Sequence, residues 1–297
     1  MMRHPGVALL LTVCACGPVR VVTRPPARES PTVRLDTGTV AVSGGRLYYE
    51  AAGNGPAVVL VHGGFGDRRM WNGQVDAFAA RYRVVRYDHR GFGRSTAPTS
   101  AYSPTADLLR LLDHLSIDRA HLVGNSMGAA VVLDFALLHP ERTAKVVAVA
   151  NGANGAPVTE EDSRSVMEVF QTATTRGVDA AAELWLKHPM VAVASTDSST
   201  APLLRAMVHD NRAIFQMQHW PIDSMSPPAF ERMGELRVPV LFVIGDRDTE
   251  VVRGLADATA RKVPGARRAV IAGGDHLPQM ERPAEFNQLV LDFLGQP

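Results

Sequence analysis

From residue 37 onward, short β-type runs alternate with helical patterns, and this alternation constrains the fold more than any other feature of the sequence. The β-type runs occupy residues 57–64, 83–95, 120–126, 144–152, 238–246 and 267–274. Helical patterns occupy residues 103–115, 127–139, 250–263 and 283–294. Strands that are separated by helix-length segments form right-handed βαβ units. The sequence therefore predicts an α/β fold with a mostly parallel central sheet and flanking helices.

The alternation has two exceptions. Residues 39–53, "TVAVSGGRLYYEAAG", predict a pair of short strands that turn at Gly44 and Gly45. Residues 153–235 are helix-like without a strong strand signal, and they contain six of the 11 methionines. We interpret 153–235 as an inserted helical lid, and residues 35–152 and 236–297 as the core of the domain.

The N-terminus has the pattern of an export signal. Residues 1–16 contain Arg3, a short apolar core at 7–13 and small residues before Cys16. This pattern predicts a bacterial lipoprotein signal, with cleavage before Cys16 and attachment to a membrane through the lipidated cysteine. Cleavage after Ala15 to give a soluble exported protein, and a cytosolic protein without export, stay open. The proline- and arginine-rich residues 17–34 predict an extended tether.

The net charge and the cysteine content argue against a nucleic-acid-binding protein and against a disulfide-stabilised domain. A net charge of +1 leaves no basic excess to neutralise phosphates, so nucleic acid is not an expected partner. The only cysteines are Cys14 and Cys16, so no internal disulfide is possible after cleavage. The sequence leaves the oligomeric state open.

The pentapeptide Gly124-Asn125-Ser126-Met127-Gly128 fits the pattern G-x-S-x-G of a nucleophilic serine. A predicted strand precedes Ser126 and a predicted helix follows it, as a tight strand-to-helix turn requires. Glycines at both flanks let the helix start lie close to the neighbouring strands. An ordinary serine at the start of a buried helix is the alternative. The serine also needs a base, an acid and oxyanion donors.

His276 is the candidate base, because it lies in a loop after the last predicted strand. No two of the ten histidines are spaced like metal ligands, so we expect no metal site. An acid must orient the imidazole, and "FVIGDRD" offers Asp246 and Asp248 after the penultimate strand. We favour Asp248, with Asp246 capping the turn. Asp275 is expected to point away and to be solvated or locally hydrogen-bonded.

Two backbone N–H groups are expected to hold the oxyanion of an acyl-transfer reaction. Met127 follows the serine at the start of a helix. The second donor is expected in "HGGFGD", residues 62–67, which we call the glycine loop. Gly64 is the preferred donor and Phe65 is the alternative.

Taken together, these motifs resemble the α/β-hydrolase superfamily over residues 37–295. The resemblance implies the Ser126–Asp248–His276 order of a triad, no cofactor, and a turn-shaping role for Asp88, Arg90 and Gly91. The groups most similar in these motifs are enol-lactone hydrolases, carbon–carbon bond hydrolases and cofactor-free esterases or haloperoxidases.

The expected function is therefore hydrolysis of a small, apolar ester or lactone through an acyl-enzyme on Ser126. A carbon–carbon bond hydrolase or lyase is the enzymatic alternative, and a non-catalytic ligand-binding protein on this scaffold is a further one. Large apolar lid residues are expected to form a pocket wall or to pack the lid itself; they are Met167, Phe170, Trp185, Met190, Phe215, Met217 and Trp220.

Overall fold

The structure is a computed structural model that describes residues 32–150, 152–216, 222–223 and 225–296. The predicted signal and most of the tether lie outside these residues. The strands are β1 (Asp36–Val42), β2 (Gly45–Ala52), β3 (Ala57–Val61), β4 (Arg83–Tyr87), β5 (Ala120–Asn125), β6 (Thr143–Val149), β7 (Val240–Gly245) and β8 (Arg267–Ile271).

The helices of the core are α1 (Asn72–Ala79), α2 (Pro104–His114), α3 (Met127–Leu138), α9 (Glu250–Lys262), α10 (Pro278–Glu281) and α11 (Pro283–Leu294). Those between β6 and β7 are α4 (Glu160–Arg176), α5 (Val178–Trp185), α6 (Ala192–Thr196), α7 (Ala201–Asp210) and α8 (Ala229–Arg232). Short 3-10 helices include Arg68–Trp71 and Arg212–Gln216. None of the described helices combines the length and the apolar character that a membrane crossing requires.

The eight strands form one sheet in the order β1-β2-β4-β3-β5-β6-β7-β8. β1 and β2 form the predicted hairpin, and β2 also pairs antiparallel with β4, whereas every later pairing is parallel. The strand order reverses at β3, which pairs with β4 on one side and β5 on the other. This reversal opens a crevice at the carboxyl ends of β3 and β5, where open α/β sheets bind ligands.

Both faces of the sheet are covered, as the continuous apolar strands predict. All five residues of β3 are buried. Val58 and Leu60 pack into one core cluster with the lid and with α1 and α11, whereas Val59 and Val61 pack into the other with α2 and α3. This alternation follows from the two-residue period of a strand. It determines which β3 side chains lie on each face of the sheet.

The segment between β6 and β7 carries α4 to α8, and its described residues form no strand of the sheet. The exact lid boundaries at 153 and 235 stay a prediction. At the other end of the chain, the last tether residues contact α1. The N–H and hydroxyl groups of Thr32 donate to the Asp76 carboxylate, at 2.9 and 2.6 Å.

Candidate active site

Ser126 occupies the turn between the end of β5 and the start of α3, with φ 51° and ψ −116°. A positive φ is rare for a residue with a side chain and marks stored backbone strain. A Cβ on Gly124 would meet the carbonyl of Gly128, and one on Gly128 would meet the carbonyl of Val61. The two glycines are therefore required by the close packing of the turn against α3 and β3.

Hydrogen bonds hold this turn in place. The N–H of Ser126 donates to the carbonyl of Val149 at the end of β6, at 2.8 Å. The carbonyl of Ser126 accepts from the N–H of Ala129 in the first turn of α3, at 2.9 Å. The serine hydroxyl thus lies at the N-terminus of a 12-residue helix, where the positive end of the helix dipole favours developing negative charge.

The three candidate catalytic side chains form one chain of hydrogen bonds. His276 Nε2 lies 2.9 Å from Ser126 Oγ, and His276 Nδ1 lies 3.0 Å from Asp248 Oδ2. Asp248 is 3% exposed and also accepts from the N–H of Thr249 at 2.7 Å. The carboxylate requires a proton on Nδ1, which leaves Nε2 free to accept the serine proton.

The other two aspartates of the sequence analysis lie elsewhere. Asp246 Oδ1 accepts from the N–H of Gly273 at 2.7 Å and is exposed, as expected for a turn cap. Asp275 is 1% exposed, so the expectation that it could be solvated is wrong. It accepts locally from Leu277 N at 3.3 Å and, across the molecule, from the lid residue Val193 N at 2.7 Å. The lid backbone therefore replaces water around Asp275.

Glu281 is a buried carboxyl group near the candidate base His276, and no sequence pattern predicted it. Its Oε2 accepts from the N–H of Asp275 at 2.6 Å, and its residue is 1% exposed. Burial and the neighbouring Asp275 carboxylate raise the pKa of Glu281 well above its usual range. This shift favours the protonated, neutral form of Glu281 at pH 7. No short motif in the sequence marks such a partner; it becomes visible only when α10 packs below the His276 loop.

The glycine loop is fixed by the buried His62. Burial lowers the pKa of His62, so the ring is neutral. Its Nε2 accepts from the N–H of His89 at 2.9 Å, and its Nδ1 therefore donates to the carbonyl of Gly63 at 2.7 Å. A Cβ on Gly63 would lie 2.7 Å from Asn125 Oδ1. The loop consequently lies directly against the serine turn.

Gly64, Phe65, Ser126, Met127 and His276 border one cavity of about 430 Å³. A Cβ on Gly64 would meet no protein atom within 4 Å, so the cavity reaches the backbone there. Within the described part of the chain, neither the Gly64 nor the Met127 N–H donates to another protein atom. The candidate oxyanion donors and the candidate nucleophile thus share one space.

The wall of this cavity is apolar. Three predicted lid residues, Phe170, Trp185 and Met190, line it. Leu204 and three residues of α9 were not predicted to do so; the latter are Val251, Val252 and Leu255. Of the other predicted wall residues, Met167 is 59% exposed, Phe215 packs inside the lid, and Met217 and Trp220 lie outside the described residues. Among the described lining residues there is no Asp, Glu, Lys or Arg.

Comparisons with known proteins give a consistent set of relatives. A sequence model of the alpha/beta hydrolase family matches residues 58–289. The chain is 30% identical over 283 residues to a 2-hydroxy-6-oxo-6-phenylhexa-2,4-dienoate hydrolase of Burkholderia cepacia, covering 90% of this chain and 98% of the relative. The crystal structure of the enol-lactonase from Burkholderia xenovorans LB400 matches with a TM-score of 0.75 and 27% identity, over 87% of this chain and 100% of that one. A thermophilic esterase from Thermogutta terrifontis matches with a TM-score of 0.72 and 25% identity, over 88% and 98%.

Proposed function

Because the chain belongs to the alpha/beta hydrolase family and is an enzyme of the hydrolase type, we propose that it cleaves small, neutral esters or lactones through an acyl-enzyme on Ser126. The observation that carries this proposal is the hydrogen-bond chain from Ser126 through His276 to the buried Asp248, at 2.9 and 3.0 Å. It lies at the base of an uncharged, apolar cavity.

In the proposed reaction, His276 Nε2 removes the proton from Ser126 as Oγ attacks the substrate carbonyl. Asp248 stabilises the imidazolium that forms. The N–H groups of Gly64 and Met127 donate to the oxyanion, and each such donor is worth about 2.7–4 kcal/mol of transition-state stabilisation. His276 then protonates the leaving alcohol, and a water activated by the same imidazole releases the acid and restores Ser126.

The lining of the cavity supports a neutral substrate. An ionised carboxylate in this cavity would be taken out of water without a Lys or Arg partner among the described lining residues. Such burial costs several kcal/mol unless a partner compensates it. An alkyl or aryl acyl group, in contrast, gains about 25 cal/mol for each Å² of apolar surface that leaves water.

Hydrolysis of a carbon–carbon bond is the second candidate. It is favoured by the similarity over 90% of the chain to the Burkholderia cepacia dienoate hydrolase, whose named substrate carries a phenyl group. The apolar wall suits a phenyl group, but the carboxylate in that name has no cationic partner in the described lining. A neutral ester or lactone is therefore the better fit.

A substrate panel on the purified protein tests the proposal. We expect turnover of short and aryl acyl esters and lactones, with poor turnover of the same acyl chains carrying a terminal carboxylate. Ser126→Ala is expected to lower kcat by about 10⁴-fold or more, and an organophosphonate is expected to label Ser126. Labelling of another serine, or turnover of dienoates but not of esters, would contradict the proposal.

We also propose that the protein is exported and attached to a membrane through a lipidated Cys16. The support is the sequence pattern of residues 1–16, which lie outside the described residues. Each buried methylene of a lipid chain adds about 0.8 kcal/mol, and two or more chains hold a protein firmly. The tether of residues 17–34 would then separate the catalytic domain from the lipid surface.

A further inference from the structure

Phe65, next to the candidate oxyanion donor Gly64, has a strained backbone. Its φ is 59°, in the left-handed region that a bulky aromatic residue rarely adopts. Such a conformation costs about 1–3 kcal/mol and persists only when the surrounding structure enforces it. The contacts of Phe65 therefore show what enforces it.

Three aromatic rings of the lid surround the Phe65 ring. Phe215 stacks on it with ring centroids 4.9 Å apart and an interplanar angle of 11°. The rings of Trp185 and Phe170 lie at centroid distances of 4.3 and 5.7 Å. Stacked and tilted aromatic pairs stabilise by about 0.5–1.5 kcal/mol beyond their buried area. Together, the free energy gained from these ring contacts is large enough to offset the strain of the Phe65 backbone.

Polar contacts from the lid hold the other end of the glycine loop. Asn211 Nδ2 donates to Asp67 Oδ2 at 3.0 Å, and Asn211 Oδ1 accepts from the N–H of Gly93 at 2.7 Å. Arg69, which pairs with Asp67 at 2.7 Å, also pairs with Asp210 of the lid at 2.8 Å. The lid thus contacts both the aromatic and the acidic residue of the loop that carries Gly64.

We propose that Phe215 is a positioning residue for the oxyanion hole: its ring holds Phe65 in the strained conformation that places the Gly64 N–H toward the cavity. This inference rests on the proposed function, because it assumes that Gly64 binds the oxyanion. Without the stacked ring, Phe65 relaxes to a negative φ, and the adjoining peptide groups rotate. A displacement of about 1 Å in a catalytic group costs about 10²-fold in rate.

Phe215 allows a clean test because it lies behind Phe65. Phe65, Phe170 and Trp185 are among the described residues that border the cavity, whereas Phe215 is not. Phe215 is fully buried within the lid. A change at Phe215 therefore alters the support of the glycine loop without removing an atom of the residues that border the cavity.

The experiment compares Phe215→Leu and Phe215→Met with the wild type and with Phe135→Leu. The first two keep most of the apolar volume while removing the ring, so their cost in stability should lie below the ~3–5 kcal/mol of a Phe→Ala change. Phe135 is an equally buried aromatic residue of α3 in the other core cluster, so it is a control for loss of a core ring.

We expect both Phe215 variants to lower kcat for an ester by about 10- to 100-fold with KM changed less than about twofold. Binding of an alkyl boronic acid, a tetrahedral analogue, should weaken by a similar factor. Phe135→Leu should keep kcat within about twofold. Wild-type kcat in both Phe215 variants, a change confined to KM, or an equal loss in Phe135→Leu would overturn the inference.

The inference and the proposed function fail in different ways. If esterase activity survives in Ser126→Ala, the proposed function is wrong. If activity depends on Ser126 but ignores Phe215, only the positioning role is wrong.

Discussion

Replacement of Asp248 by asparagine is informative because the backbone N–H of Thr249 determines the orientation of the new side-chain amide. One oxygen of Asp248 accepts from the N–H of Thr249 at 2.7 Å, and the other contacts Nδ1 of His276 at 3.0 Å. Asparagine has a single oxygen, and the Thr249 N–H requires it. The NH₂ group must then face Nδ1, which has to accept. The ring proton moves to Nε2, which can no longer take the proton of Ser126.

The loss can be apportioned from these contacts. The reversed amide would restore the productive tautomer but would set an NH₂ group against the buried Thr249 N–H, at a cost of about 1–3 kcal/mol. Even then, the imidazolium would lack the carboxylate charge beside it. Asparagine in the corresponding place of a serine triad lowers kcat by about 10⁴-fold, or about 5.4 kcal/mol. Misorientation therefore accounts for about 1–3 kcal/mol, and the lost charge for most of the rest.

The assay is kcat for a chromogenic short-chain ester, measured beside the thermal unfolding midpoint. Asp246→Asn is the matched control, because Asp246 also accepts one backbone N–H, from Gly273, but is exposed, whereas the hydrogen bond to His276 Nδ1 comes from Asp248. We expect Asp246→Asn to keep kcat within about threefold and Asp248→Asn to lose about 10⁴-fold with little change in midpoint. A kcat within tenfold of wild type for Asp248→Asn would refute the orientation argument.

Three further predictions concern the serine turn, the buried carboxyl group and the N-terminus. Gly128→Ala forces a Cβ against the carbonyl of Val61. We therefore expect the free energy of unfolding, measured with denaturant, to fall by about 1–3 kcal/mol and kcat to fall at least tenfold. Gly254→Ala in α9 is the control, because its Cβ would meet no atom within 4 Å, and it should be neutral or stabilising. Burial raises the pKa of Glu281 above the ordinary value of 4.5 that applies to the unfolded chain, so its contribution to stability is complete below about pH 4.5 and declines as the pH rises. Glu281→Gln removes this pH-dependent decline. Between about pH 5 and 8, the free energy of unfolding of the variant minus that of the wild type should therefore increase with pH, by at most about 1.4 kcal/mol per pH unit. A difference that does not change with pH would contradict a buried neutral acid at Glu281. Cys16→Ser should move the protein from the membrane fraction to the soluble exported fraction with kcat unchanged, and mass spectrometry showing an intact Met1 or Met2 start would contradict export.

The serine turn was predictable because its determinants are local. The strand, the turn and the helix around Ser126 are adjacent in the chain. The flanking glycines indicate that a side chain at either position would clash with the neighbouring backbone. His276 and Asp248 were predictable for a related reason. Each follows a strand of a parallel sheet, and the carboxyl ends of such strands meet at one edge whatever the connecting helices do. Alternation of strands and helices therefore predicts both the fold and the convergence of the three side chains.

The contacts between the lid and the core could not be predicted in this way. Val193 N and Asp275 Oδ2 are separated by 82 residues, and Asn211 Nδ2 and Asp67 Oδ2 by 144. No period or motif in the lid specifies which of its polar groups meets which core loop, because that depends on how several short helices pack together. The same ambiguity explains why Met167 is on the surface and why α9 supplies wall residues.

These long-range contacts fall beside the two loops on which the proposed chemistry depends. Asp275 precedes the base His276 and accepts from the lid at Val193, while Asp67 lies three residues after Gly64 and accepts from the lid at Asn211. Both aspartates are buried, so loss of either lid contact would remove one hydrogen bond from a buried carboxylate, although Arg69 still pairs with Asp67 and the N–H of Leu277 still donates to Asp275. Because the lid supplies both part of the cavity wall and these partners, we expect substitutions in it to act on kcat through the loops as well as on KM through the wall. We therefore expect lid residues that do not border the cavity to influence kcat as well.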